Sequence, residues 1–214
     1  MLAGAPIDHE VSWVYDPDHG RAERFARGGG VGPPMTVVDS VPALLDRVDA
    51  VYVCTPTAHH PDLVDAAADA GVAVFCEKPL GVDLAAASRV ASRLRDLPHQ
   101  VGLVLRDSPA FLLLRSLVTD AASGGAMSVV FRDDQYLPVQ GIYDSTWRAD
   151  PALAGTGTLL EHSIHDLDLL EWLLGPVADI SCRTTSSHGL GPIEDVAVVT
   201  MRFRSGAIGS LVSV

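Results

Sequence analysis

The chain has 214 residues, of which 48% are hydrophobic and 20% are charged. This composition excludes an intrinsically disordered chain and a small disulfide-stapled fold, and it suffices for one large domain or two small ones. Fifteen Lys and Arg residues against 27 Asp and Glu residues give a formal net charge of −12. A surface this acidic repels phosphate groups, so we expect neither nucleic acid nor a membrane as a partner.

The cysteines and the apolar runs bear on location. The three cysteines are odd in number and widely spaced, at Cys54, Cys76 and Cys182. We expect them to be reduced thiols buried in strands of a cytoplasmic protein. The first six residues lack both a basic flank and a long apolar run, which predicts no signal peptide. Arg115 interrupts the most apolar stretch, so no membrane span is predicted.

The first hundred residues alternate short β-branched runs with alanine-rich helical stretches. Strands are predicted at residues 11–15, 36–38, 50–54, 72–76 and 101–105. Helices are predicted to begin at Asp18 and Ser40, and to cover residues 61–70 and 83–96. This alternation indicates a parallel, doubly wound sheet, in which strands covered on both faces are continuously apolar.

The pattern changes after Arg106, where an α/β half gives way to an α+β half. Predicted here are a helix over residues 109–123, a strand over 126–131 and a long polar stretch over 132–154. One continuous helix is predicted over residues 158–174, ended by Gly175 and Pro176. The alternating runs at 196–201 and 208–212 are typical of antiparallel strands in an open sheet with one covered face.

One count in the composition points to chemistry. Lys78 is the only lysine, beside 14 arginines. A genomic preference for arginine codons explains the arginines but not the exception, because a compact ammonium that can lose its proton cannot be replaced by a guanidinium. Glu77 can pair with this ammonium, and Pro79 restricts the backbone beside it. An ordinary solvated ion pair would have the same sequence pattern.

Two other loops follow predicted strands, at the sheet edge where ligands bind in such folds. A carboxylate at Asp16 can accept hydrogen bonds from both ribose hydroxyls of an adenine dinucleotide and would repel a 2′-phosphate. Asp16 is equally well explained as a turn residue before Pro17. The segment 54–60 is, on its own, an ordinary strand-to-helix turn with a threonine cap.

A second group of chemically active residues lies in the predicted helix over 158–174. Glu161, His165 and Asp168 are spaced to share one helix face. A carboxylate one turn from a histidine orients the ring and raises its basicity, as a general base requires. A purely structural histidine pair is one alternative. Another is a metal site formed by His162, His165 and an Asp, but the two histidines are three residues apart rather than four, so no metal is predicted.

Three signatures, in this order, resemble the glucose-fructose oxidoreductase / inositol dehydrogenase (Gfo/Idh/MocA) family. They are Cys54-Thr55-Pro56 with His60, Glu77-Lys78-Pro79, and Glu161 with Ile164-His165-Asp166. The resemblance implies a Rossmann-type domain over residues 1–105 that binds NAD, or NADP. It also implies a C-terminal α/β domain over residues 106–214, with an open, mainly antiparallel sheet that often forms homo-oligomers. The implied reaction is hydride transfer between the nicotinamide and a hydroxyl-bearing carbon of a sugar, inositol or related polyol.

The resemblance also implies roles for single residues. Lys78 would hydrogen-bond the reacting hydroxyl, and His165 would take its proton. Glu161, where many family members have Asp, would position the substrate or the histidine. The implied cofactor-binding residues are Asp16 at the adenosine ribose, and Thr55, Pro56, His60 and Glu77 around the cofactor cleft. The implied substrate pocket includes Tyr136, Tyr143, Trp147 and Arg148.

The chain departs from the family pattern at both ends. It contains no Gly-x-Gly-x-x-Gly turn, because neither Gly4 nor the run 28–30 follows a strand and opens a helix. It also stops within a strand pattern at Val214. Both ends are therefore expected to be clipped relative to the family, which would leave unpaired sheet edges. The alternative to an enzyme is thus a truncated, non-catalytic relative that acts as a ligand-binding or subunit-association module.

Overall fold

The first half of the chain forms parallel strands connected by helices. The computed structural model describes residues 10–28, 35–135, 146–189 and 191–214. The strands are β1 (Trp13–Val14), β2 (Thr36–Val37), β3 (Ala50–Val53), β4 (Ala73–Cys76) and β5 (His99–Val101). The helices are α1 (His19–Gly28), α2 (Val41–Leu45), α3 (His60–Asp69) and α4 (Leu84–Leu94). β1 pairs with β2, and β3, β4 and β5 form a separate parallel sheet in that order. This arrangement is Rossmann-like, as predicted.

The second half places short helices against one mixed sheet. Its helices are α5 (Pro109–Thr119), α6 (Pro151–Ala154), α7 (Thr158–Glu161) and α8 (Ile164–Leu174). Its strands are β6 (Ser128–Asp133), β7 (Val177–Thr185), β8 (Val196–Phe203) and β9 (Ile208–Ser213). The spatial order is β6-β9-β8-β7, with β6 and β9 parallel and the other pairs antiparallel. The fold class predicted from the sequence is confirmed.

Side chains set the beginnings of three helices in the first half. Asp18, Ser40 and Asp83 each accept a hydrogen bond from the backbone N–H three residues further on, at 3.0, 3.3 and 2.7 Å. Each bond satisfies a backbone donor that has no partner within the helix. The predicted helix starts at Asp18 and Ser40 are therefore correct, and Asp83 precedes α4 as its cap.

Each half of the chain has its own hydrophobic core, between a sheet and the helices that pack on it. Between the three-stranded sheet and its helices lie Val53, Val64, Val74, Cys76, Val90 and Leu94. Between the four-stranded sheet and α8 lie Leu170, Val199, Met201, Phe203 and Leu211. Residues of β8 alternate between this core and solvent, as expected for a sheet with one covered face. The other face exposes Val130, Val198 and Ile208 at 83%, 43% and 58%.

Four expectations from the sequence are wrong in detail. The strand expected over 101–105 ends at Val101, and residues 104–107 form a 3-10 helix. The helix expected over 109–123 ends at Thr119. Cys76 is buried in β4 and Cys182 is partly buried in β7, but Cys54 is exposed; all three thiols are free. The helix expected over 158–174 is interrupted between Glu161 and Ile164, at the site described below.

None of the helices in the described part of the chain has both the length and the apolar character needed to cross a bilayer.

The start of α7 depends on a glycine. The Gly157 N–H donates to the Glu194 carboxylate at 2.8 Å, and a Cβ built on Gly157 would lie 1.7 Å from the Glu194 carbonyl oxygen. The backbones of Gly157 and Glu194 lie too close together to admit a methyl group between them. The loop that contains Glu194 therefore packs directly on the backbone of α7.

Replacing Gly157 with alanine is expected to lower the free energy of unfolding by roughly 3 kcal/mol or more, because the backbone must move to admit the methyl group. Urea denaturation followed by circular dichroism measures this change. The matched control is Gly28→Ala, since a Cβ at Gly28 has no neighbour within 4 Å. Equal unfolding midpoints for the two variants would contradict the tight contact.

Candidate active site

Lys78 reaches across from the first half of the chain to the second. It follows β4, and its Nζ donates a hydrogen bond to the backbone carbonyl of Glu161. Burial lowers the pKa of this ammonium; Glu161 and Glu77 oppose the shift, and Arg148 adds to it. The only lysine of the chain is thus partly buried and held at the junction of the two halves.

This hydrogen bond lies at the interruption of the predicted helix. In a continuous helix the Glu161 carbonyl would accept from the N–H of His165. Here that carbonyl is occupied by Lys78, and the His165 N–H donates to the carbonyl of His162 at 3.2 Å. The Ser163 hydroxyl also donates to Ser213 of β9 at 2.6 Å. α7 ends at Glu161, and α8 begins after a short turn.

The Glu161 carboxylate is buried and is used within the protein. Its Oε1 accepts a hydrogen bond from the Thr57 hydroxyl at 2.8 Å, and its Oε2 lies 3.8 Å from Nε of Arg148. Burial raises the pKa of this carboxyl, while Thr57, Lys78 and Arg148 lower it. The hydrogen bonds and ion pairs found for its carboxylate among the described residues go to Thr57 and Arg148. The role of Glu161 in positioning the substrate or the histidine stays a prediction.

His165 lies in the first turn of α8, close to the Lys78 ammonium. Its Nδ1 is buried and has no hydrogen-bond partner in the part of the chain that the structure describes. Burial, then Lys78 and His162, lower the pKa of the ring to about 4, and Asp168 and Asp133 oppose them. The predicted rise in basicity from a neighbouring carboxylate is therefore outweighed. The Asp168 carboxylate accepts from Nε of Arg106 at 2.7 Å, so its main partner is this guanidinium.

The predicted cofactor residues lie in the loops that follow the parallel strands. Asp16 follows β1; its carboxylate accepts from the N–H of Asp18 at 2.8 Å and remains 27% exposed. Thr55 and Pro56 follow β3 and are partly buried. The Glu77 carboxylate lies against Gly102, where a Cβ would come within 2.8 Å of it, and it accepts from the N–H of Lys78 at 3.3 Å.

His60 does not line a cleft. Its side chain is buried, with the residue only 1% exposed. Nδ1 lies 2.7 Å from the carbonyl oxygen of Pro79, and Nε2 lies 3.0 Å from that of Thr55. The ring therefore ties the loop after β3 to the loop that contains Lys78. Burial lowers its pKa, and the two carbonyl contacts partly oppose this shift.

The residues predicted to line the substrate pocket are only partly described by the structure, and one contact of the site was not predicted. Tyr136 and Tyr143 lie outside the described residues. Trp147 stacks under the Arg148 guanidinium at 4.5 Å. The role of Thr57 was missed, because a threonine in a strand-to-helix turn is explained equally well as a cap, and its partner is 104 residues away.

A further polar cluster lies beside His165 and was also missed. His162 Nε2 is 2.6 Å from a carboxylate oxygen of Asp133, at the end of β6. Asp166, in the first turn of α8, is buried close to both. The His162 and His165 rings are 6.3 Å apart. The metal alternative considered from the sequence paired the two histidines, whereas the structure groups His162 with two aspartates.

Comparisons with known proteins place both halves of the chain in one family. Residues 3–103 match the model described as "Oxidoreductase family, NAD-binding Rossmann fold", and residues 111–213 match the GFO/IDH/MocA C-terminal domain. These two matches follow the chain order of the two halves described above.

Individual relatives agree with these matches. The chain is 30% identical to 1,5-anhydro-D-fructose reductase of Ensifer adhaerens, over 88% of this chain and 56% of that protein. It is 33% identical to inositol 2-dehydrogenase of Rhizobium meliloti, over 78% of this chain and 48% of that protein. The crystal structure of GenD2 from gentamicin A biosynthesis, in complex with NAD, superposes with a TM-score of 0.85 at 27% identity, covering 95% of this chain and 58% of that chain. The chain spans about half the length of the curated relatives it matches.

The buried ring of His60 predicts a pH-dependent contribution to stability. Because folding lowers its pKa below the ordinary value of 6.5, the unfolded chain binds the proton more tightly. The stability due to the neutral ring is therefore complete above about pH 6.5 and is lost as the pH falls towards the folded pKa. Each unit by which the pKa is lowered corresponds to about 1.4 kcal/mol.

The test compares the unfolding free energies of the wild type and His60→Asn in urea at pH 7.5 and 5.5. The advantage of the wild type is expected to shrink at the lower pH, since asparagine does not titrate. His99→Asn, at an exposed position, is the matched control. A wild-type advantage that stays constant or grows on acidification would show that the ring is not held in its neutral form.

Proposed function

The chain belongs to the Gfo/Idh/MocA family of oxidoreductases, and we propose that it transfers hydride between NAD and a hydroxyl-bearing carbon of a sugar, inositol or related polyol. The observation that carries the proposal is the convergence of the Lys78 ammonium, the Glu161 carboxylate and the His165 ring at the junction of the two halves. A partly buried ammonium beside a neutral imidazole can stabilise the alkoxide and accept the proton when an alcohol is oxidised.

The residues present fit both the adenosine half and the nicotinamide half of a nicotinamide dinucleotide. The partly exposed carboxylate of Asp16 stands after β1, where it would accept hydrogen bonds from the adenosine ribose; its charge favours NAD, with NADP as the alternative cofactor. Thr55, Pro56 and Glu77 would hold the other half of the dinucleotide beside Lys78. The bound nicotinamide would supply the acceptor, or the donor, of the hydride. His60 would act one step away, by fixing the loops that contain Thr55 and Lys78.

The protein's own part in the reaction is the movement of one proton. Lys78 Nζ would donate a hydrogen bond to the reacting hydroxyl oxygen and stabilise the negative charge that develops there. The His165 imidazole, which is neutral near pH 7, would take the hydroxyl proton as the carbon is oxidised and return it in the reverse direction. Glu161 would be a positioning residue: its carbonyl fixes the Lys78 ammonium, and its carboxylate anchors the turn to Thr57.

The domain organisation, assembly and location are parts of the same proposal. We place the boundary between the two domains at residues 105 and 106, which the two matched ranges support. A homo-oligomer is supported by the apolar residues on the uncovered face of the four-stranded sheet, Val130, Val198 and Ile208. The three free thiols support a cytoplasmic location.

The proposal is tested first by titrating NADH into the 214-residue chain and recording its fluorescence, and then by turnover of NAD with myo-inositol and glucose as probes.

Lys78→Arg is expected to abolish turnover while leaving the NADH affinity within about twofold, because the guanidinium keeps the charge but not the size of the ammonium. The control is Arg95→Lys, which exchanges arginine for lysine at an exposed position. Undiminished turnover by Lys78→Arg would give Lys78 a structural role. No NADH binding at millimolar concentration would favour the non-catalytic alternative for this chain.

His165→Ala tests the proton acceptor. Its kcat is expected to fall by roughly two to four orders of magnitude, the usual contribution of a general base. The exposed His19→Ala serves as the control. A loss of less than tenfold, at saturating NAD and substrate, would argue against His165 as the base.

A further inference from the structure

The polar cluster beside the proposed active site joins three elements of the second domain. Asp133 ends β6, His162 lies in the turn between α7 and α8, and Asp166 lies in the first turn of α8. One possible ligand atom from each residue lies within 4.8 Å of those of the other two. His162 and Asp133 are in contact, with Nε2 and Oδ2 separated by 2.6 Å.

Asp166 provides a second, independent observation. The residue is only 2% exposed, and its Oδ2 is buried without a hydrogen-bond partner among the described residues. A buried carboxylate oxygen without a donor costs free energy, and native proteins leave few such atoms. The Asp133 carboxylate accepts from His162 and from the Gln135 amide, so as a carboxylate it has no hydrogen to donate to the Asp166 oxygen. The cluster thus offers acceptor atoms in excess of the donors found for it.

The spacing of the three ligand atoms suits a metal ion. When three atoms lie within 4.8 Å of one another, some point lies within about 2.8 Å of all of them, and bonds from Zn²⁺ to nitrogen and oxygen are about 2.0–2.2 Å long. Side-chain movements of less than about 1 Å would therefore complete the bonds. One imidazole with two carboxylates suits Zn²⁺ and its first-row neighbours, whereas Mg²⁺ and Ca²⁺ prefer oxygen ligands alone.

We propose that Asp133, His162 and Asp166 form a binding site for a divalent transition-metal ion, Zn²⁺ or a first-row neighbour. The ion would replace the His162–Asp133 hydrogen bond with two metal bonds and would give the Asp166 oxygen a partner. It would fasten the end of β6 to the turn that separates Glu161 from His165. This role is structural and does not depend on NAD or on hydride transfer.

The test is calorimetric titration of ZnCl₂ into the metal-free, tag-free 214-residue chain, with CoCl₂ absorption as a second readout and MgCl₂ as the negative probe. We expect one Zn²⁺ per chain, a visible Co²⁺ spectrum, no heat from Mg²⁺ and a rise in Tm with Zn²⁺. Asp166→Asn and His162→Gln should each weaken Zn²⁺ binding by at least about tenfold. Two variants are used so that poor folding of one, checked by circular dichroism, leaves the other to decide.

The matched control is His188→Ala. His188 also contacts an aspartate, with its Nδ1 2.9 Å from Asp195, but this pair is not in the three-residue cluster. Its substitution should leave Zn²⁺ binding unchanged.

The proposal is overturned if the folded wild type binds no Zn²⁺ at millimolar concentration, which would leave a proton shared between Asp133 and Asp166 as the explanation of the cluster. It is equally overturned if both cluster variants bind as the wild type does. NADH titration of the same samples, with and without Zn²⁺, keeps the result separate from the proposed enzyme activity.

Discussion

A single hydrogen bond, from the Lys78 ammonium to the carbonyl of Glu161, organises the junction of the two halves. It gives the partly buried ammonium a backbone partner, which offsets part of the cost of removing a charge from water. It is made at the carbonyl where α7 ends, and α8 begins three residues later. The positions of Glu161 and His165 relative to each other are consequences of that interruption.

The surrounding contacts hold the two loops that meet at this bond. From the first half, His60 bridges the carbonyls of Thr55 and Pro79, so the loops after β3 and β4 cannot shift independently. From the second half, the Glu194 carboxylate accepts from the N–H of Gly157 and fixes the start of α7. The Thr57–Glu161 hydrogen bond then joins the two sides directly. A site of this kind is preorganised by backbone contacts as much as by side chains.

The sequence predicted the features that depend on near neighbours. The helix starts at Asp18 and Ser40 and the buried strand patterns of β3 and β4 follow from residues within a few positions of each other. It did not predict the interruption after Glu161, where the carbonyl accepts from a lysine 83 residues away. The same holds for the burial of His60 between two loops and for the meeting of His162 with Asp133. Lys78 itself could be singled out, but by its rarity rather than by any local pattern.

The strand order β6-β9-β8-β7 has a consequence for how the second domain is made. β9 is the last of these strands to leave the ribosome, yet it lies inside the sheet, between β6 and β8. Until about residue 213 has emerged, β6 has no neighbour in this sheet, and Asp133 at its end cannot be brought to His162. The strands of the first half pair within shorter stretches of chain and can form during synthesis, whereas the pairing of β6 must wait for β9.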